Sequence, residues 1–331
     1  MRRHSLVVSG IDARILARLE EQAKEEGPLP RSLELYYRLL QVQAEAKSRQ
    51  NVPKLGLGEA DIAGRIKSGV PLLAFADLHI NWPQLAEVFQ KVVNIVRSYS
   101  EVFGEIPESL DTLRLRERLI PSSGEFERGI RPSQKFNSPS PRQGEGDRVA
   151  KEPGLELLQE MAKIWYKGDS LPSCDGVQGT LMEFIMQSAL KPLLARHREA
   201  VLGLIIQDQW RCGYCPVCGG NPDFAYLDKE GARWLLCSRC DTEWLFQRLE
   251  CPYCGNQHSS TLAYFTDDDG LYRLYVCDQC QHYLKAIDLR RANYEVLLPL
   301  ERLLTMDIDV QARHENYSPC PQGTRGQRVS T

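Results

Sequence analysis

The chain has 331 residues, 42% of them hydrophobic and 26% charged, with a formal net charge of -3 at neutral pH. That length exceeds one small core and calls for two domains, or one domain with a sizeable appendage. The charge balance excludes a global basic field for nucleic acid or anionic lipid. The longest apolar runs, such as Pro71–Ala76 and Val201–Ile206, fall far short of the roughly 20 residues that cross a bilayer. Met1-Arg2-Arg3 is followed only by Leu6–Val8 as an apolar stretch, too short for a secretory signal, so a cytoplasmic protein without membrane insertion is expected.

In chain order, the first 120 residues read as helical. Leu33, Tyr36, Tyr37, Leu40 and Ala44 recur at helical spacing. So do Leu85, Val88, Phe89, Val92, Val96, Tyr99 and Phe103, with Pro83 suited to a first helical turn. From 121 to 154 the character changes: 15 of 34 positions are Gly, Pro or Ser, without apolar periodicity. Such a segment cannot bury enough surface to offset its ordering entropy, so a disordered insertion is expected there. Leu155, Leu158, Met161, Ala162 and Trp165 resume the helical stripe. A long helical run from Gln178 to about His197 follows, which Pro192 should kink or break. These stripes read as core faces of a bundle.

From Cys215 the chain repeats itself. Cys215-Pro-Val-Cys218-Gly219 is followed by Cys237-Ser-Arg-Cys240, and Cys251-Pro-Tyr-Cys254-Gly255 by Cys277-Asp-Gln-Cys280. Between the pairs, strand-forming segments (224–227 with 232–236, and 261–266 with 271–276) flank the turns Asp228–Gly231 and Asp267–Gly270. Third strands are expected at 244–248 and 283–287. Of 11 cysteines, these eight form four Cys-x-x-Cys pairs, a pattern that in a reducing compartment points to metal rather than crosslinks. A tetrahedral metal needs four thiolates about 2.3 Å from one point. Each Cys-x-x-Cys turn supplies two, and the following glycine permits the left-handed backbone that closes it. Sequential pairing across 18 residues (Cys218 to Cys237) and 22 residues (Cys254 to Cys277) encloses shorter loops than cross-pairing. The expected ligands are therefore Cys215, Cys218, Cys237 and Cys240 for one ion, and Cys251, Cys254, Cys277 and Cys280 for the other. Iron and zinc both suit four thiolates. Cys212 is read as a bystander and Cys174 and Cys320 receive no role. His258 and His282 are expected outside the ligand sets.

The expected fold class is α+β: a helical domain over 1–210, then two tandem rubredoxin-like or zinc-ribbon-like modules at 211–250 and 251–311, the second including a C-terminal segment. A flexible tail is expected at 312–331. Residues 211–291 carry nine Lys or Arg against eleven Asp or Glu. Nucleic-acid binding needs an excess of phosphate-neutralising cations, which this region lacks.

The residues around the knuckles resemble the family of FdhE formate dehydrogenase accessory proteins. The run from Trp210 through Cys215-Pro-Val-Cys218 to Pro222 is similar to the family's first knuckle. Cys237-Ser-Arg-Cys240-Asp-Thr-Glu-Trp244 with Arg248, and Cys277-Asp-Gln-Cys280-Gln-His-Tyr283-Leu-Lys285, are similar to its later signatures. Ala189-Leu-Lys-Pro192 and Leu304-Thr-Met-Asp307-Ile-Asp309 fit as well, whereas 121–154 and the stretch after Tyr317 depart from it. The resemblance implies a cytoplasmic accessory protein, not an enzyme, that helps mature a molybdenum-containing formate dehydrogenase and contacts its catalytic subunit. It also implies rubredoxin-like iron at the cysteine motifs. A rubredoxin-like redox protein, or a nucleic-acid-binding zinc ribbon, is the alternative reading.

Overall fold

The computed structural model describes residues 10–111, 153–173 and 176–321. Cys174, most of the insertion expected at 121–154 and the end of the expected tail lie outside them. The N-terminal part is helical: α1 (Ile11–Glu25), α2 (Arg31–Ser48), α3 (Glu59–Ser68), α4 (Trp82–Arg97), the single turn α5 (Ser100–Phe103), α6 (Pro153–Lys167) and α7 (Gly179–Val201). Pro153 and Gly154, placed in the insertion by the sequence, open α6. Helix α4 begins where the Asn81 side chain accepts the Gln84 amide at 3.1 Å, and its stripe Leu85, Val88, Phe89, Val92 and Val96 is buried. Both α2 and α4 pack on α7, with α6 closing against α4 and α7.

Helix α7 runs unbroken through Pro192. A proline there cannot donate to the Ser188 carbonyl, which would leave a buried acceptor unpaired. The buried Gln43 side chain of α2 reaches across and donates to that carbonyl at 2.9 Å. A tertiary partner thus offsets the local defect at Pro192, where a kink or break is expected from the sequence and the helix continues.

The six strands β1 (Pro222–Leu227), β2 (Arg233–Cys237), β3 (Glu243–Phe246), β4 (Leu262–Thr266), β5 (Tyr272–Cys277) and β6 (His282–Asp288) form one mixed sheet in the order β3-β2-β1-β6-β5-β4. Each cysteine unit supplies a three-stranded antiparallel meander. The two meanders join through β1 and β6, which pair in parallel from Phe224↔Lys285 to Leu227↔Asp288. One unit therefore repeats the other by translation along the sheet, and the chain crosses from one sheet edge to the opposite edge between β3 and β4. Arg233 of β2 holds that crossing by donating to the Gln247 and Glu250 carbonyls. The Tyr253 hydroxyl lies 3.1 Å from the Pro222 carbonyl and 3.2 Å from that of Tyr283, at the starts of the two joining strands.

Helices α8 (Leu298–Leu304) and α9 (Met306–His314) return over the sheet. The buried Lys285 ammonium of β6 donates to the Arg302 and Thr305 carbonyls and to Asp309 at 2.6 Å, and the Tyr283 hydroxyl donates to the same carboxylate at 2.8 Å. Residues 312–321, assigned to the tail by the sequence, are held: Ala312 is buried, Ser318 donates to the Gln281 carbonyl, and Tyr283 donates to the Ser318 carbonyl. A single apolar core runs from Phe89 and Leu190 through Trp210 to Cys215, Cys237 and Trp244, so the helical part and the first cysteine unit share their interior.

Candidate metal centres

All four Cys-x-x-Cys turns have one construction. In each, the amide two residues after the second cysteine's predecessor closes the turn: Gly219, Asp241, Gly255 and Gln281 donate to the carbonyls of Cys215, Cys237, Cys251 and Cys277. Each of those donors has a positive φ, between 54° and 73°. Glycine carries this at the first turn of each unit. Asp241 and Gln281 carry it at the second, where a non-glycine residue is uncommon and needs support. Asp241 receives it from Lys191 at 3.0 Å and Arg302 at 3.1 Å.

The turns bring the thiols together in the expected sets. Cys215, Cys218, Cys237 and Cys240 form one group, and Cys251, Cys254, Cys277 and Cys280 the other, with the sulfurs of each within 4.8 Å of one another. Measured contacts are 3.6 Å (Cys215–Cys240), 3.5 Å (Cys218–Cys237) and 3.4 Å (Cys218–Cys240) in the first group. In the second, Cys251–Cys280 and Cys254–Cys277 are both 3.7 Å apart. A tetrahedron with metal–sulfur bonds of about 2.3 Å has edges of about 3.8 Å, whereas disulfide sulfurs sit at about 2.05 Å. The spacing and the donor set fit a tetrahedral thiolate ion.

Donors surround the sulfurs. The Val217 and Arg239 amides approach Cys215 and Cys237 at 3.4 Å, the Thr242 hydroxyl lies 3.0 Å from Cys240, and the Asn256 side-chain amide donates to Cys277 at 3.5 Å. Such bonds favour thiolate over thiol. Burial pushes the Cys215 thiol well up, and burial sets Cys254 at about 12. Burial also opposes ionisation of Cys240 and Cys277, but the neighbouring donors outweigh it and hold both below the usual thiol value. A cation held among the four sulfurs would displace the remaining protons.

Residues outside the sets are placed clearly. Cys212 is buried but lies outside the first cluster, close to Gly69, and its carbonyl accepts the Trp244 indole at 3.1 Å. Cys320 neighbours the Asn221 side chain at 3.6 Å. The Nδ1 of His282 faces the Ser318 carbonyl, and the His258 backbone amide donates to Asn256. Neither histidine joins a cluster.

Arg239 was the residue that sequence reasoning passed over. It lies inside the Cys237–Cys240 turn, yet its side chain is buried, 4.4 Å over the Trp165 ring. Its guanidinium donates to the Trp165 and Tyr166 carbonyls at 3.1 and 3.0 Å, in the last turn of α6. A cation there pairs the Tyr166 carbonyl, adds to the Gly168 amide on that of Trp165, and meets the negative end of the helix dipole. The Leu72 and Leu73 amides also bond to the Pro216 and Val217 carbonyls of the first turn. The first cluster is therefore held from two sides, by the end of α6 and by the loop that follows α3.

A family model described as "FdhE, central domain" matches residues 214–248, the stretch that builds this first cluster. A curated relative from Aquifex aeolicus, named Protein FdhE homolog, is 33% identical over 148 residues, 43% of this chain and 51% of that protein. Protein FdhE of Escherichia coli is 30% identical over 110 residues, 32% of this chain and 35% of its own length. The crystal structure of the FdhE protein from Pseudomonas aeruginosa matches with a TM-score of 0.57 over 95% of each chain, at 18% identity. The chain is thus similar to FdhE proteins in sequence over part of its length and in fold over nearly all of it. The alignments span about half of the Aquifex relative and about a third of the Escherichia coli protein, while the structural likeness extends the shared fold to the helical part. Within this fold, residues in and beside the cysteine turns make the supporting contacts: Arg239, Asp241 and Thr242 fix the first cluster, and Tyr283 and Lys285 anchor α9.

Proposed function

We propose that this chain is an accessory factor for maturation of a molybdenum-containing formate dehydrogenase, acting in the cytoplasm by binding the enzyme's catalytic subunit. In this reading Cys215, Cys218, Cys237 and Cys240 hold one metal ion, and Cys251, Cys254, Cys277 and Cys280 a second. Zinc at these positions would supply structural cross-linking, and iron would add one-electron chemistry. The observation that carries the reading is the family match centred on 214–248, together with a buried cluster whose signature residues tie it to a helical platform. The cysteine region has eleven acidic against nine basic residues, which favours a protein partner over nucleic acid. No helix among the described residues is long and apolar enough to cross a membrane.

Deleting the gene should abolish formate dehydrogenase activity while the catalytic polypeptide is still made, and the purified chain should capture that polypeptide directly. Salt-sensitive, sequence-specific binding to duplex DNA, with normal formate oxidation in the deletion strain, would sink the reading. A redox role is a second possibility, favoured by the partial exposure of Cys254 and Cys280. Visible absorption of protein isolated from its host without added zinc separates iron from zinc.

A further inference from the structure

Strand β4 forms one edge of the sheet, and no described strand pairs with its outer side. An edge presents a row of unpaired backbone N–H and C=O groups, which natural proteins blunt with charge, proline or a covering element. The β4 sequence Leu-Ala-Tyr-Phe-Thr has neither charge nor proline, and Ala263 through Thr266 are exposed. Tyr264 and Phe265 are 54% and 50% exposed, and Leu249 nearby is 77% exposed. An apolar cavity of about 80 Å³ opens beside the strand, lined by Leu249, Pro252, Ala263, Tyr264 and Leu284.

Negative charge brackets this strand. At its end stands the exposed turn Asp267-Asp268-Asp269. At its start lies the exposed Asp278, whose amide donates to the Thr261 carbonyl. The nearby cation Arg273, over the Tyr264 ring, is committed to Asp288 at 2.8 Å, and Arg248, on the cavity wall, leans toward the Gly231 carbonyl. A second copy pairing antiparallel through β4 would set each acidic turn against the other copy's Asp278, and a parallel pairing would set the two turns side by side. Like charges placed so oppose self-association.

We infer that β4 is a docking edge for an extended segment of a partner, about five residues (about 17 Å) long, with Lys or Arg at both ends and an apolar side chain for the cavity. Main-chain hydrogen bonds would supply affinity, and the flanking carboxylates would fix position and direction. The inference rests on the accessory-factor reading, which makes the partner the catalytic subunit.

The experiment uses the full chain and the purified catalytic subunit, with amide hydrogen exchange and binding titration. Complex formation should slow exchange in Ala263–Thr266. Changing Asp267, Asp268 and Asp269 together to Asn should weaken binding about tenfold at low salt, from three surface charge pairs. Phe265→Ser should weaken it independently. Metal content and thermal midpoint should be unchanged in both variants, and Glu105→Gln with Glu156→Gln, on the helical side, should bind normally. Overlapping peptides from the subunit should bind where basic residues flank a strand-forming stretch. Capture with unchanged β4 exchange, and Asn variants that bind normally, would overturn the docking edge and leave the accessory reading intact. Concentration-dependent protection of β4 in the free chain would identify a second copy instead and overturn it too. Absence of capture overturns the docking edge, and normal formate oxidation in the deletion strain overturns the accessory reading as well.

Discussion

The two four-cysteine clusters have the same ligand types, the same turns and the same strand topology, yet they sit in different surroundings. All four sulfur-bearing residues of the first are buried, while Cys254 and Cys280 of the second are partly exposed. The first is clamped by Arg239 on α6, by Gln187 of α7 on the Ser238 carbonyl, and by Leu72 and Leu73 on its opening turn. The second rests on the crossing chain, with Tyr253 and the Ser318 segment as its main supports. The second unit thus repeats the turns of the first without repeating its surroundings. Enclosure makes one copy part of the molecular core, and the other stands where a partner or solvent can reach it.

The largest effect should come from breaking the ligand sets in turn. Cys218→Ser should release one metal equivalent and cost roughly 5 kcal/mol or more, because small knuckles derive their folding energy from the ion and this one shares its core with α6 and α7. Cys280→Ser should also release one equivalent, but with a clearly smaller fall in the thermal midpoint and intact helical packing. Metal analysis with calorimetry on the two variants checks this, and equal losses would erase the distinction between the sites.

Arg239→Met should come next, at roughly 2 kcal/mol, since it leaves the buried Tyr166 carbonyl without its donor and removes one of two from that of Trp165, while keeping much of the side-chain volume. Both metals should remain bound, with faster amide exchange along the last turn of α6 as the local signature. Loss of the second site's metal in this variant would show that the clusters are energetically one unit.

Much of this was legible in the sequence, and the exceptions share a cause. Helical stripes, hairpin turns and the eight cysteines are local patterns, and local patterns survive without knowledge of neighbours. The parallel pairing of β1 with β6 was not legible, because strand alternation names a face and not the strand alongside. Arg239 reads as a surface charge until α6 is known to end against it. The same holds for Pro192, where only Gln43, from a helix far away in sequence, makes a continuous helix affordable. Asp241 and Gln281 had a visible signal: they follow the second cysteine of a turn, where Gly219 and Gly255 stand in the sister turns.

The smallest effect should come from Cys212, which sits three residues before Cys215 and could be mistaken for a ligand. Its thiol lies against Gly69, where an added Cβ would be 2.9 Å from the sulfur and 3.3 Å from the Tyr214 hydroxyl. Cys212→Ala should leave two metals bound and cost about 1 kcal/mol for the lost packing. Gly69→Ala should cost more, because its φ of 68° is unfavourable for any residue with a Cβ and the sulfur obstructs the new methyl. Combining the two removes the nearer obstruction but leaves the Tyr214 hydroxyl and the backbone strain. The double variant should therefore be more stable than the sum of the singles, without recovering the original stability. Thermal melts of the four proteins, with metal content measured on each, test this. Loss of a metal from Cys212→Ala alone would place that thiol among the ligands and redraw the first cluster, and strict additivity would mean that the sulfur and Gly69 do not press on each other.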